Sequence, residues 1–557
     1  MVTDTDVIGA DLTTAAWLSH EEGVDSPRTD VLAAYIDPMT SGQEPPLSVA
    51  PPLDVLGVQL HAEDNVLVAT RDLQAGDSAG ALVVRAHVPR GHKVAVAAVA
   101  EGEPVRKYNQ IIGFATERIE PGDHVHTHNV AFQAFERDYA FGADVVPTRF
   151  VPEGERATFQ GIVRGNGRVA TRNYIGILTS VNCSATAAKL IADQFRSPGL
   201  LDEFPNVDGV VALTHGAGCG MAGSGEGFDV LQRTLTGYAE HPNFAGFLML
   251  GLGCEVNQIS GMSETWDVDA STVVSTMTIQ EQGGTVATVR AGVDAIREML
   301  PVADRVSRTT VPASELVLGL NCGGSDAYSG ITANPALGAA VDLLVSHGGT
   351  AVLGETPEIY GAEHLLTRRA VSREVGDRLI ERIRWWEKYT ADNGGSMDNN
   401  PSPGNKAGGL TTILEKSLGA VAKGGTTNLT GVYRYAERVT AKGFTFMDTP
   451  GYDPVSVTGI VAGGATVMCF TTGRGSVLGC KPTPSLKLAT NTEMYRRMSG
   501  DMDLNCGVIM DGAASVQDMG ERLFDLILQT ASGRKTVSEE LGFGQEEFLP
   551  WQLGAVM

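Results

Sequence analysis

Basic residues are scarce. The chain of 557 residues carries 42 lysines and arginines against 66 aspartates and glutamates, a formal net charge of -24. With no global positive field to attract phosphate, the charge argues against nucleic acid and anionic membrane as partners. A small anionic substrate is not excluded, because a local cluster of cations is enough to hold one. Long apolar runs are also missing. None reaches the roughly 18 residues that a membrane helix needs. The opening MVTDTDVIGADLTTAAW has neither a basic start nor a continuous apolar core, so no secretory leader is expected. Cysteines number only seven, an odd count that fits a reducing cytoplasm. None falls in a CxxC pair, which argues against a zinc ribbon. No GxxxxGK[ST] phosphate loop and no strand-GxGxxG-helix pattern is expected, so nucleotide binding ranks low and a nucleotide-dependent oxidoreductase last among the readings.

What is present changes character along the chain. Residues 1–50 are acidic and rich in Pro and Ser, and predict a poorly ordered extension. From 51 to 131, short apolar runs such as LDVLGVQL, NVLVAT and KVAVAAV alternate with Gly, Pro and Asp turns, which predicts a small all-β domain. Residues 132–156 have no clear period and are taken as a linker. From 157 the pattern is strand, helix, strand. Strands are expected at 174–180, 207–214, 244–251, 272–278, 315–320, 350–354, 444–448 and 466–472. Helices are expected at 184–195, 226–240, 279–299, 334–346, 362–390 and 408–424. The fold class is therefore α/β, with a mostly parallel sheet covered by helices on both faces, divided into a second domain (157–310) and a C-terminal one (311–557).

In such sheets ligands sit beyond the carboxyl ends of the strands, and four cysteines occupy that place. VNCS puts Cys183 after the first strand, HGAGCG puts Cys219 after the second, GLGCE puts Cys254 after the third, and LGLNCGGSDAYSGITANP puts Cys322 where an apolar run stops. Any one of them could be a small buried hydrophobe. Four at equivalent positions suggest a metal or iron–sulfur site, since thiolates favour iron and zinc. Later strand ends carry Glu355 and Glu358, then Asp448 and Asp453, helix capping being a plain alternative for Asp453 and less so for Glu355, and then Arg474 in a glycine turn suited to a carboxylate or to a structural ion pair. NPSPGNKAGG, with Asn400 and Asn405, leads towards Lys416 and forms a polar helix entry able to bind an anion. In the β domain, His61 stands in LHAEDNV, and GDHVHTHN alternates His124, His126 and His128 along one strand face. These histidines suit metal ligation, substrate contact or a solvated edge.

Taken together these motifs resemble the altronate dehydratase/galactarate dehydratase family of sugar-acid dehydratases, from about residue 55 to the end. The likeness rests on LHAEDNVLVATRDLQAGD and PGDHVHTHN in the β domain, and on GNGRVATRNYIGI, HGAGCG, GLGCE, CGGSDAYSGITANPALG, NPSPGNKAGG and FTTGRG in the body. The resemblance implies a β-clip (SAF-type) fold for residues 51–131, a Rossmann-like variant for the C-terminal domain and a homodimer with the second domain as its interface. It also implies ferrous iron, or manganese, as cofactor. The implied reaction converts a 2,3-dihydroxy sugar acid, altronate by the HVHTHN element, to the 2-keto-3-deoxy acid. On that basis Cys183, Cys219, Cys254 and Cys322 are the candidate metal ligands, for a single ion or an iron–sulfur cluster with one open iron. His215 or Lys416 would be the base, and Glu355 a ligand or proton carrier. Arg474, Asn400, Asn405 and Asp326 would hold the substrate, with His61, His126 and His128 closing over it. Galactarate dehydratase, a sulfolactate-type carbon–sulfur lyase and a non-enzymatic sugar-acid binder are the alternatives.

Overall fold

The computed structural model describes residues 56–554, apart from residue 136, residues 197–198 and residue 265. The extension expected over residues 1–50 lies outside the described residues. No helix among those described is long and apolar enough to cross a membrane.

The β domain is built from very short strands. Gly57–Val58, Val66–Ala69, Lys93–Ala95 and His124–Val125 make one antiparallel sheet, and Pro104–Lys107, Gln110–Ala115 and Val130–Ala131 make another. Turns at Gly76, Gly91, Gly102 and Gly122, all at positive φ, let the chain reverse between them. Leu56, Leu67, Leu73, Val84, Val88 and Val94 fill the interior.

The body contains two parallel sheets rather than one. The smaller orders its strands Gly209–Leu213, Tyr174–Thr179, Phe244–Gly251, Val273–Thr278. The larger has seven: β1 (Val317–Cys322), β2 (Thr350–Leu353), β3 (Leu429–Tyr433), β4 (Gly443–Met447), β5 (Val467–Thr472), β6 (Ser485–Ala489) and β7 (Leu504–Asn505). Their spatial order is β3-β4-β2-β1-β5-β6-β7, every pair parallel. Strand order reverses between β1 and β5, the place where such sheets open a crevice. β1, β2, β4 and β5 read as continuous apolar runs because both faces are covered.

Two expected helices are interrupted. Instead of one helix over 362–390, a short turn at His364–Thr367 is followed by α1 (Arg373–Asp392). Between them Ala370 bridges to Leu429, and Ser372 caps α1 by accepting from the Val375 N–H. Instead of one helix over 408–424, α2 (Pro403–Ala407) stops at Gly408-Gly409, Gly409 having a φ of +99°, before α3 (Ile413–Val421) begins. The helix expected at 279–299 starts only at Thr285, because Gly283 and Gly284 both take positive φ. Strands β3 and β6 were not expected. LTGVY has a glycine and SLKLA a lysine in mid-strand, and both break the apolar pattern.

Candidate active site

Four loops at the carboxyl edge of the large sheet meet around β1. Cys322 is its last residue. Past β2 the chain turns through Glu355, held at φ +68° and ψ +62°. A non-glycine residue in the left-handed region is strained, and such strain gathers at functional sites. Glu358 follows one turn later. Every residue of α3 is buried, charged ones included, so its polar groups must find partners inside. Just beyond it, the fully buried Lys423 Nζ donates to Cys322 Sγ and to Glu355 Oε2, each at 2.7 Å. The Cys322 N–H also donates to Glu355 Oε2, at 2.9 Å, and Cys322 Sγ lies 3.0 Å from Glu358 Oε2. Lys416 Nζ donates to Glu358 Oε1 and Asn400 Oδ1, both at 2.7 Å. Asp453, the first residue of α4 (Asp453–Ala462), leans on Gly323, where a Cβ would stand 2.1 Å from its carboxylate oxygen.

The electrostatics are those of acids crowded away from water. Burial raises Glu355 to about 8 against the pull of Lys423. Burial, and then Glu358, raise Asp453 to about 7. Burial opposes ionisation of Glu358 as well, yet Lys416 and Lys423 outweigh it and hold that carboxyl below its ordinary value. Cys322 is pushed well above the usual thiol value by burial and by the two glutamates. One oxygen stands apart. Glu355 Oε1 is buried with no hydrogen-bond partner among the described residues, a costly state unless something outside the chain completes it. Cys322, Glu355 and Glu358 each place a ligand atom within 4.8 Å of the others.

The β domain is fastened against this edge by a buried triad. Lys93 Nζ sits 2.8 Å from Glu415 Oε2, and Lys107 Nζ sits 3.0 Å from Glu415 Oε1. The two lysines drive the Glu415 carboxyl far below its ordinary value despite its burial. The docking brings His92 to the carbonyl of Ala407 and the Tyr328 hydroxyl to the carbonyl of Ala69, at 2.7 Å.

Several expected site residues take other roles. The four cysteines do not share one edge, because their strands belong to two sheets. Cys183, Cys219 and Cys254 are exposed on adjoining loops of the small sheet, whereas Cys322 is buried on the large one. His215 is not free to act as a base: Thr179 O occupies its Nε2 at 2.8 Å and the Ala217 N–H its Nδ1 at 3.2 Å. Burial also lowers it to about 4. Asp326 cannot hold substrate, since Thr490, Asn491, Ser329 and the Tyr328 N–H already fill its carboxylate. Asn405 caps α2 with Ser402 and touches Lys416 Nζ only at 3.4 Å. Lys416 is kept protonated, burial being outweighed by Glu358, and so suits a proton donor better than a base. His61 accepts from the Glu63 N–H, and His128 lies against His124 at the domain's rim. Asn400 joins the cluster through Glu358. Arg474 projects from the end of β5 into solvent with no ion pair among the described residues.

Lys423, His92 and the Lys93–Glu415–Lys107 triad carry no motif that isolates them. Lys423 reads as one more surface lysine in AKGG, and only the complete burial of that turn reveals it. The strand-end loop that bears Cys219 also contains the spacing Gly218-x-Gly220-x-x-Gly223. Gly218 is needed there because a Cβ would stand 2.3 Å from the Ser180 carbonyl.

Comparison with known proteins follows the same divisions. Residues 56–133 match the altronate/galactarate dehydratase SAF domain, 161–304 the second domain of D-galactarate dehydratase/altronate hydrolase, and 313–556 the C-terminal D-galactarate/altronate dehydratase family. Altronate dehydratase of Bacillus subtilis (strain 168) is 34% identical over 499 residues, covering 87% of this chain and 97% of its own. The L-threo-forming galactarate dehydratase of Escherichia coli (strain K12) is 39% identical over 497 residues, covering 87% and 94%. The (2R)-sulfolactate sulfo-lyase subunit beta of Chromohalobacter salexigens is 34% identical over 393 residues, covering 69% and 95%.

Proposed function

The chain belongs to the altronate/galactarate dehydratase family of hydro-lyases, and we propose that it removes water from altronate to give the 2-keto-3-deoxy acid. What carries the reading is the buried, partnerless Glu355 Oε1 within a ring of acids and ammonium groups at the crevice of the large sheet. That oxygen, with Cys322 and Glu358, fits a divalent ion, ferrous iron by family. Only when Glu355 and Cys322 give up the protons that burial makes them keep would three negative groups face two lysines, so a cation would bind there in exchange for those protons. Bound there, the ion would offset the negative charge that builds on the substrate carboxylate as the C2 proton leaves.

The chain's own residues divide the remaining work. Arg474, unpaired at the mouth, would take the sugar-acid carboxylate through its planar fork. Asp453, poised near neutrality beside Gly323, would receive the C2 proton. Lys416, held as an ammonium by Glu358 and Asn400, would give a proton to the departing C3 hydroxyl, which leaves as water. Lys423 would fix Glu355 and Cys322 in place. The test is turnover of a panel of aldonates and aldarates under anaerobic, reducing conditions. Altronate should lose water and yield a 2-keto acid.

Two other readings have their own support. Galactarate is favoured by the 39% identity to a galactarate dehydratase. An iron–sulfur cluster is favoured by three exposed free thiols on neighbouring strand ends, Cys183, Cys219 and Cys254; acid-labile sulfide in anaerobically purified protein would mark it. A homodimer is part of the same proposal, to be read by sedimentation.

A further inference from the structure

The β domain holds a group of imidazoles that the dehydration chemistry leaves unused. His92 Nδ1 lies 3.0 Å from His124 Nε2, while His92 Nε2 lies 3.4 Å from the carbonyl oxygen of Ala407. A neutral imidazole has one N–H. If it points from Nε2 to the carbonyl, Nδ1 presents a lone pair towards His124. His126 completes the group. Its ring centre is 4.5 Å from that of His92 and 5.6 Å from that of His124. Its Nδ1 is buried and has no partner among the described residues. One nitrogen from each ring falls within 4.8 Å of the other two. A hydrogen bond between His92 and His124 accounts for the first contact alone and leaves His126 Nδ1 unsatisfied.

We propose that His92, His124 and His126 form a second cation site, for a borderline divalent metal of the zinc or cobalt class. Metal–nitrogen bonds of about 2.0–2.1 Å place the nitrogens of a tetrahedral site about 3.3 Å apart, close to the His92–His124 separation. The Ala407 carbonyl plays the part that backbone carbonyls play behind metal-bound histidines, fixing tautomer and ring orientation. His92 is buried and His124 and His126 are half-buried in one pocket, and the nearest fixed cation, Lys93, is already held by Glu415, which it shares with Lys107. A metal here would clasp the β domain to the end of α2, whose Asn405 touches Lys416. The site depends on none of the residues assigned to dehydration.

The test uses the full-length protein stripped with a chelator and titrated anaerobically with Co²⁺. Wild type should show the ligand-field absorption of tetrahedral, imidazole-bound cobalt. His124→Gln and His126→Gln should each lose one bound equivalent together with that absorption, whereas Glu358→Gln should keep it. Absorption that survives both histidine substitutions, or never appears in wild type, would overturn the proposal. X-ray absorption on zinc-loaded wild type needs no variant. Imidazole scattering shells around the zinc are expected, and a shell of oxygen or sulfur alone contradicts the site.

Discussion

Lys423 Nζ and Glu355 Oε2 stand 2.7 Å apart with both side chains fully removed from solvent. The same ammonium reaches Cys322 Sγ at 2.7 Å. A single ammonium thus holds one carboxyl and one thiol in place, and leaves the second glutamate oxygen without a hydrogen-bond partner among the described residues. A buried acceptor that loses its donor costs more than the bond itself is worth.

Replacing Lys423 with Met therefore strands Glu355 and Cys322 without their partner. The expected loss of stability is about 1–3 kcal/mol for the buried acceptors left unsatisfied, read by urea unfolding, together with loss of turnover. A variant as stable and as active as wild type would mean that the pair neither holds the site together nor shapes it.

The pH dependence has a definite sign. Glu355 is raised from 4.5 to about 8, so the folded state keeps a proton that the unfolded state has released. Its share of stability is full below pH 4.5 and is lost as pH rises towards 8. Buried histidines contribute slopes of the opposite sign. The comparison is accordingly between metal-free wild type and Glu355→Gln, in which those slopes cancel. Wild type should lose stability relative to the variant across that window, and added divalent metal should flatten the difference. A difference that does not change with pH removes the buried, proton-holding glutamate from the account.

Arg474→Ala should raise KM for the sugar acid at least tenfold and change kcat much less, because the guanidinium binds a carboxylate present in ground and transition states alike. The residue is exposed and unpaired, so stability should hardly move. Steady-state kinetics on the preferred acid decide it, and an unchanged KM excludes Arg474 from the substrate site.

Thiol reactivity separates the two cysteine populations. Cys183, Cys219 and Cys254 are exposed, and Cys322, Cys469, Cys480 and Cys506 are buried. Metal-free native protein should present three fast-reacting thiols to an aromatic disulfide, and the remainder only on unfolding. Protection of the fast three after anaerobic reconstitution with iron and sulfide would support a cluster there.

Much of this was legible from the sequence, for physical reasons that differ by element. Strands buried on both faces, such as FAGFLMLG and TVMCFTT, announce themselves as apolar runs. The carboxyl ends of those strands are legible with them, which is why Glu355 and Arg474 could be placed at that edge. Sheet membership could not be read the same way. Cys254 and Cys322 follow similar apolar runs, and nothing local says that their strands hydrogen-bond in different sheets. Burial of charge was equally hidden: Lys423 and Glu415 look like surface residues until the β domain and the turn after α3 close over them. Asp326 misled for the converse reason. An acid in a glycine loop suggests a ligand, but here the chain itself supplies every donor.

The most direct test of the central claim is anaerobic turnover of altronate by wild type and by Glu358→Gln, each with and without ferrous iron, with the 2-keto-3-deoxy product counted. Iron-dependent product from wild type, and a loss of at least 100-fold in the variant, are the results predicted. Equal turnover by the two proteins, or turnover indifferent to iron, would contradict a metal-assisted dehydration at the Cys322–Glu355–Glu358 edge.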